Sequence, residues 1–149
     1  MGRRYLAAAR GFTLLELLVV LLVVAVVAGV VVPSVGRSTD AIRARSEVAR
    51  FSATLRRARE EAITVREPRA VVVDPAARRV TIVAGADTVT AAWSLPDALT
   101  VRAGAPDGLE VRFEPQGVSN GGEFHLTARG LRFRVTVDPL TGRVRSTRE

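Results

Sequence analysis

The sequence predicts an α+β protein: a long N-terminal α-helix, membrane-spanning in its first half and amphipathic in its second, packed on an antiparallel β-sheet or sandwich domain. Three observations predict it. An apolar run opens the chain, a stripe of apolar positions at helical spacing follows, and beyond Pro68 the period falls to two, with turn residues recurring about every eight to twelve positions. A length of 149 residues suits one domain with a modest core. Hydrophobic residues at 48% and charged residues at 25% exclude a disordered chain. With no Cys and a single His, disulfide frameworks and thiolate metal sites are impossible and most catalytic constellations are closed, so no cofactor and no metal are expected. The 22 basic residues are all Arg, against 15 acids, and the net charge of +7 suggests an anionic surface or polymer.

The basic residues are unevenly spread. Arg3, Arg4 and Arg10 stand in the first eleven residues with no acid among them. Every position from Leu17 to Val32 is then apolar, and the one charge just before that run is Glu16. As a helix, residues 12–32 reach about 30 Å, close to the hydrocarbon thickness of a bilayer. A cleavable secretory signal would need a shorter apolar core and a small-residue cleavage site, which is lacking here. A plain signal anchor accounts for the preceding arginines. It leaves Glu16 unexplained, because a carboxylate in an apolar membrane helix costs roughly 2.5 kcal/mol or more.

The string Arg10-Gly11-Phe12-Thr13-Leu14-Leu15-Glu16 resembles the processing site of type IV prepilins and type II secretion pseudopilins. The resemblance implies that residues 1–11 are a leader cut after Gly11 by prepilin peptidase, that Phe12 becomes the N-methylated first residue, and that Glu16 serves assembly. Its logic is electrostatic. Cleavage frees an amine at Phe12, with a pKa near 8 and so cationic at neutral pH, which Glu16 of a neighbouring subunit can pair with inside the apolar layer.

Residues 12–33 are thus expected to form the transmembrane half of the helix. Pro33 follows the apolar run, its ring opposing the carbonyl of Gly29, itself a weak helix former, so the pair Gly29 and Pro33 marks either a kink or a helix end. In the amphipathic half, 34–67, the apolar positions Ala41, Ala44, Val48, Phe51, Leu55, Ala58, Ala62 and Val65 alternate by three and four. Arg43/Glu47, Arg56/Glu60 and Arg57/Glu61 are spaced by four on the other face, which suits solvent. The many alanines fit close packing on a sheet of the same chain, and Glu67-Pro68 ends the helix.

The β domain spans 68–149. Its strand candidates are 69–73, 80–84, 99–103, 109–113, 123–127, 131–137 and 143–146, separated by Gly-, Pro-, Asp- and Asn-rich turns. One helix followed by two small sheets, together with the strings FEPQG, GGEFHL and TGRVR, resembles the GspH/FimT branch of pseudopilins. That resemblance fades between about 81 and 100. The lack of Cys departs from major pilins and favours a minor subunit.

No catalytic machinery is legible in the β domain. His125 shares a strand face with Glu123 and Thr127 but has no nucleophile or paired carboxylates beside it, and Trp93 reads as core. The unusual feature is the C-terminal set Arg132, Arg134, Arg143 and Arg145, which alternation places on one face if Val144 shares the core side with Val135 and Val137. Clustered like charges are unfavourable on a sheet. They require either acidic neighbours, for which Glu110 and Glu114 are the candidates, or an anionic ligand. Gly142-Arg143-Val144-Arg145 also resembles the Gly-Arg-x-Arg ending of FimT-like minor pilins, which implies phosphate-directed contact with DNA.

The expected role is therefore that of a minor pseudopilin and not of an enzyme. It is anchored by a single pass in the cytoplasmic (inner) membrane, its N-terminus cytoplasmic before processing and its β domain outside the cytoplasm. Expected partners are prepilin peptidase, other major and minor pseudopilins, the cytoplasmic membrane, and secreted substrates or DNA. The alternatives are a DNA-binding minor pilin of natural transformation and a membrane-tethered β domain with no filament role.

Overall fold

The computed structural model describes residues 13–85, 88–105 and 108–149, with the backbone alone between 29 and 38. Helix α1 runs from Leu14 to Val65 and is followed by eight strands: β1 (Arg69–Asp74), β2 (Arg79–Ala84), β3 (Thr88–Ser94), β4 (Leu99–Ala103), β5 (Glu110–Phe113), β6 (Gly122–Ala128), β7 (Leu131–Val137) and β8 (Val144–Arg148). The chain divides into two compact units, Met1–Thr39 and Asp40–Glu149.

In the first unit, Thr13 caps α1. Its hydroxyl accepts the Glu16 N–H at 3.2 Å, and its carbonyl accepts the Leu17 N–H at 3.1 Å. From Leu14 to Val27 the large apolar side chains are exposed on all sides of the helix. Among the described residues no helix is long and apolar enough to cross a membrane, and the side chains described in the expected span stop at Ala28. The helix continues through Gly29 and Pro33, so Pro33 does not end it. Their side chains lie outside the described residues.

In the second unit the expected stripe is the core face of α1. Ala44, Val48, Phe51, Leu55, Ala58 and Ala62 are buried, whereas Ala41 is half-buried and Val65 exposed, so the stripe is shorter than the periodicity suggested at both ends. The helix stops at Val65, and Arg66 leaves it with φ 59°, the left-handed conformation of a helix C-terminal turn. Of the pairs spaced by four, Arg57 and Glu61 meet at 2.7 Å. Arg56 instead donates to the Val144 carbonyl at 3.4 Å, and Glu47 faces Arg129 at 3.9 Å.

The strands form two antiparallel four-stranded sheets, ordered β3-β2-β1-β5 and β4-β6-β7-β8. Residues of both inner faces join one core with α1, including Val71, Ile82, Val111 and Phe113 from the first sheet and Leu99, Phe124, Leu126 and Val135 from the second. Phe51 of α1 meets Phe124 edge to face, ring centroids 5.2 Å apart. Strand β3 lies where no strand is expected from the sequence. It forms the outer edge of its sheet, and its Trp93, half-buried against the core as expected, donates to Thr54 Oγ1 of α1 at 3.1 Å while Arg50 lies 4.6 Å over the ring. This tie holds the edge strand to the helix.

Two turns meet beneath Arg59. Its Nε donates to the Gly117 carbonyl at 3.1 Å, and buried Gly142, with φ 60°, sits so close that a Cβ there would run into that carbonyl and come 2.8 Å from Arg59 Nε. The FEPQG and TGRVR strings therefore come together in space. Gly142→Ala is expected to add steric collision to the cost of a left-handed backbone, about 1–2 kcal/mol by itself. Gly130→Ala, with φ 79° and open space around it, carries the backbone cost alone. Urea unfolding followed by Trp93 fluorescence should show the Gly142 variant as the less stable of the two by about 1 kcal/mol or more; equal losses would contradict the close-packing account.

Candidate functional site

The processing site begins outside the described residues, where Gly11 and Phe12 fall. Glu16, three residues past the Thr13 cap, stands in the first turn of α1 with its side chain exposed. An acid there interacts favourably with the positive end of the helix dipole. The local pattern Thr13-Leu14-Leu15-Glu16 is thus also a helix start signal, which the sequence reading did not use.

The second candidate is the solvent face of the sheet β4-β6-β7-β8. Register places Arg102, His125, Arg134 and Thr147 in one cross-strand row, and Thr100, Thr127 and Arg132 in the next. Glu149 continues this second row, its N–H donating to the Arg132 carbonyl at 3.1 Å. Arg145 lies opposite Thr136, which lies opposite Glu123. Arg132, Arg134 and Arg145 thus share a face as expected. Arg143 precedes β8, in the turn, where it borders a small cavity with Arg56, Arg59 and Glu60 of α1.

The acids that accompany these arginines are not the expected ones. Glu110 belongs to β5, in the other sheet, and Glu114 follows it. Instead Arg134 lies 2.8 Å from Glu149 and 3.4 Å from Glu123, and His125 lies 3.2 Å from Glu123 and 3.5 Å from Glu149. The four groups form a closed ring of alternating charge when His125 is protonated. The hydrogen bond to Glu149 raises the Arg134 guanidinium above its ordinary value, with the Glu123 and Glu149 charges adding to the effect. The same hydrogen bond from Arg134 holds the Glu149 carboxyl below the usual carboxylate range. The strand expected over 143–146 ends three residues before Glu149, so its alternation does not reach the acid.

The turn into β8 is held by Asp138, whose Oδ1 accepts from the Thr141 N–H at 2.8 Å and from the Thr141 hydroxyl at 2.9 Å. These bonds, the backbone one first, lower the Asp138 carboxyl below its usual value. Among the described residues no group of three or more His, Asp or Glu is arranged to hold a metal ion.

A pH dependence follows with a definite sign. Asp138 and Glu149 are both lowered in the folded state, so each contributes stability above the ordinary carboxylate value, near 4, and that contribution is lost as pH falls through the lower folded value. Thermal unfolding should be level in this respect between about pH 7 and 5 and decline below about pH 4. Glu149→Gln should shallow that acid limb, and an unchanged limb in this variant would remove Glu149 from the account.

Comparison with known proteins agrees with this architecture. Residues 47–141 match the model of the family described as type II transport protein GspH, and residues 6–32 match the prokaryotic N-terminal methylation motif. Type II secretion system protein H of Xanthomonas campestris is 34% identical over 144 residues, covering 92% of this chain and 82% of that one. Among solved structures, the type IV minor pilin FimU of Pseudomonas aeruginosa shares 15% identity at a TM-score of 0.61, covering 73% of this chain and 91% of that one. The minor pseudopilin EpsH of Vibrio cholerae shares 22% at 0.54, covering 73% and 96%. These two likenesses are of fold. The family match and the Xanthomonas relative carry the assignment, and the chain belongs to the GspH family of type II transport proteins.

Proposed function

We propose that the chain works as a minor pseudopilin of a type II secretion system: prepilin peptidase cuts between Gly11 and Phe12, Phe12 is N-methylated, and the mature subunit enters a pseudopilus beside other pseudopilins. The observation that carries this reading is the start of α1, apolar and exposed all round from Leu14 to Val27 with one exposed carboxylate, Glu16, in its first turn. A helix apolar on every side has to be covered, by lipid or by other helices. Either covering strands the carboxylate at a cost of roughly 2.5 kcal/mol or more unless a cation meets it. The freed Phe12 amine of a neighbour is such a cation, and it exists only after leader removal. The same segment then serves first as an inner-membrane anchor with the folded unit outside the cytoplasm, and later as a helix packed in the filament. The chain's role in this reading is assembly, with no catalytic step of its own.

DNA contact is the second reading. Arg132 and Arg145 favour it, being exposed and without an ion pair among the described residues, whereas Arg134 is committed to Glu149 and Arg143 lies beside α1.

Two measurements test the first reading. Mass spectrometry of the mature chain from a host with active peptidase should show a methylated Phe12 N-terminus; retention of residues 1–11 would overturn it. Glu16→Val and Glu16→Gln should partition to the membrane like the unaltered protein but enter sheared filaments at least about tenfold less, since a loss of 1.4 kcal/mol is already tenfold. Gln keeps helix propensity while removing the charge, so normal incorporation of that variant would sink the pairing role.

A further inference from the structure

We propose that the solvent face of the sheet β4-β6-β7-β8 docks an acidic, extended segment of a partner protein, with Arg102 and Arg132 as its carboxylate forks. The inference rests on the folded unit alone and stands apart from the filament reading. Arg102 on β4 and Arg132 on β7 flank β6, two strand spacings or about 10 Å apart across the sheet and one row apart along it. Thr100, His125 and Thr127 beside them, and Glu149 beyond Arg132, help line one shallow hollow.

Charge accounting on this face leaves a surplus. Its two acids, Glu123 and Glu149, are both engaged by Arg134 and His125. Arg102, Arg132 and Arg145 form no ion pair among the described residues, although Arg132 lies within electrostatic reach of Glu149 and Arg145 of Asp138. Guanidiniums gathered on one sheet face without matching acids are unfavourable in the isolated molecule. An external anion relieves that repulsion, and an Arg fork binds a carboxylate through two parallel hydrogen bonds. Thr100 and Thr127 lie in the row of Arg132, beside that of Arg102, and their hydroxyls supply further donors.

The arrangement of acids decides the class of partner. Glu149 follows Arg132 in one row, and Glu123 shares the row of Arg145 across Thr136, so a carboxylate accompanies each of these two arginines. A continuous phosphate backbone running from Arg132 towards Arg145 would pass over a carboxylate. Separate side-chain carboxylates on an extended segment address Arg102 and Arg132 one at a time and leave Glu123 and Glu149 paired with Arg134 and His125. Discrete acids on a peptide therefore fit the hollow between Arg102 and Arg132 better than a continuous polyanion does.

The test uses the full-length chain in nonionic detergent micelles and follows fluorescence anisotropy of a rhodamine-labelled peptide of alternating Glu and Ser. Parallel titrations use the same peptide with Gln for Glu, and a labelled DNA duplex of matched charge. The Glu peptide should bind with an affinity that falls with added salt, and the Gln peptide at least about tenfold more weakly. Arg102→Gln and Arg132→Gln should each weaken the Glu peptide severalfold, while Arg112→Gln, in the other sheet, should not. Unchanged circular dichroism would confirm that the variants fold. Absence of binding, equal binding of the Gln peptide, or indifference to both substitutions would overturn the proposal. Tighter binding of the duplex that is lost in the same two variants would also overturn it and assign the face to nucleic acid.

Discussion

The folded unit depends on the core that one helix face shares with two sheets. The buried stripe of α1 is small at its ends, with Ala44 at the start and Ala58 and Ala62 near the finish, and bulky only at its middle, where Phe51 and Leu55 enter the core. Phe51 supplies the volume that Phe124 packs against. The polar flanks of α1 reach the sheets and their turns through side chains: Thr54 holds Trp93, Arg56 reaches the Val144 carbonyl and Arg59 reaches Gly117. Hydrophobic burial seats the helix, and these directional contacts fix its rotation.

Arg59 also changes how the C-terminal motif is read. A Gly-Arg-x-Arg string invites a purely functional explanation, yet Gly142 is buried in a left-handed conformation under the Arg59 side chain and against the Gly117 carbonyl. Its place in the sequence is accounted for by packing alone. The arginines after it divide. Arg145 belongs to the solvent face of the sheet, and Arg143 to the turn beside α1. A motif legible as one unit in sequence is thus two environments in space, and only the residue on the strand joins the basic face.

What was legible follows from what periodicity encodes. The helix stripe and most strands announce themselves because each buries one face completely, and β7 matches its expected limits residue for residue. Strand β3 does not, because it is an edge strand whose alternation sets half-buried Ala91 and Trp93 against exposed Thr90, Ala92 and Ser94, a contrast too small to read. Periodicity says which way a side chain points but not which sheet its strand joins. Strand β5 pairs with β1, far back in the chain, which removes Glu110 from the basic face and leaves Glu123 and Glu149 as the acids there. Nor does anything near Arg102 along the chain show that β4 lies beside β6.

The N-terminal acid shows how one residue can answer to two physical demands without conflict. As the third residue past the Thr13 cap, Glu16 sits at the positive end of the helix dipole, where a carboxylate is favourable by a few tenths to 1 kcal/mol. That is too little to offset burial of an unpaired charge among apolar helices, which costs several times as much. The helix start therefore explains why an acid is tolerated at this position in an isolated subunit, and leaves most of its cost outstanding whenever the segment is covered. Only a full positive charge closes that difference. In the proposed reading that charge is the amine freed at Phe12 of an adjoining subunit, so the local preference for an acid and the proposed intermolecular pairing select the same residue.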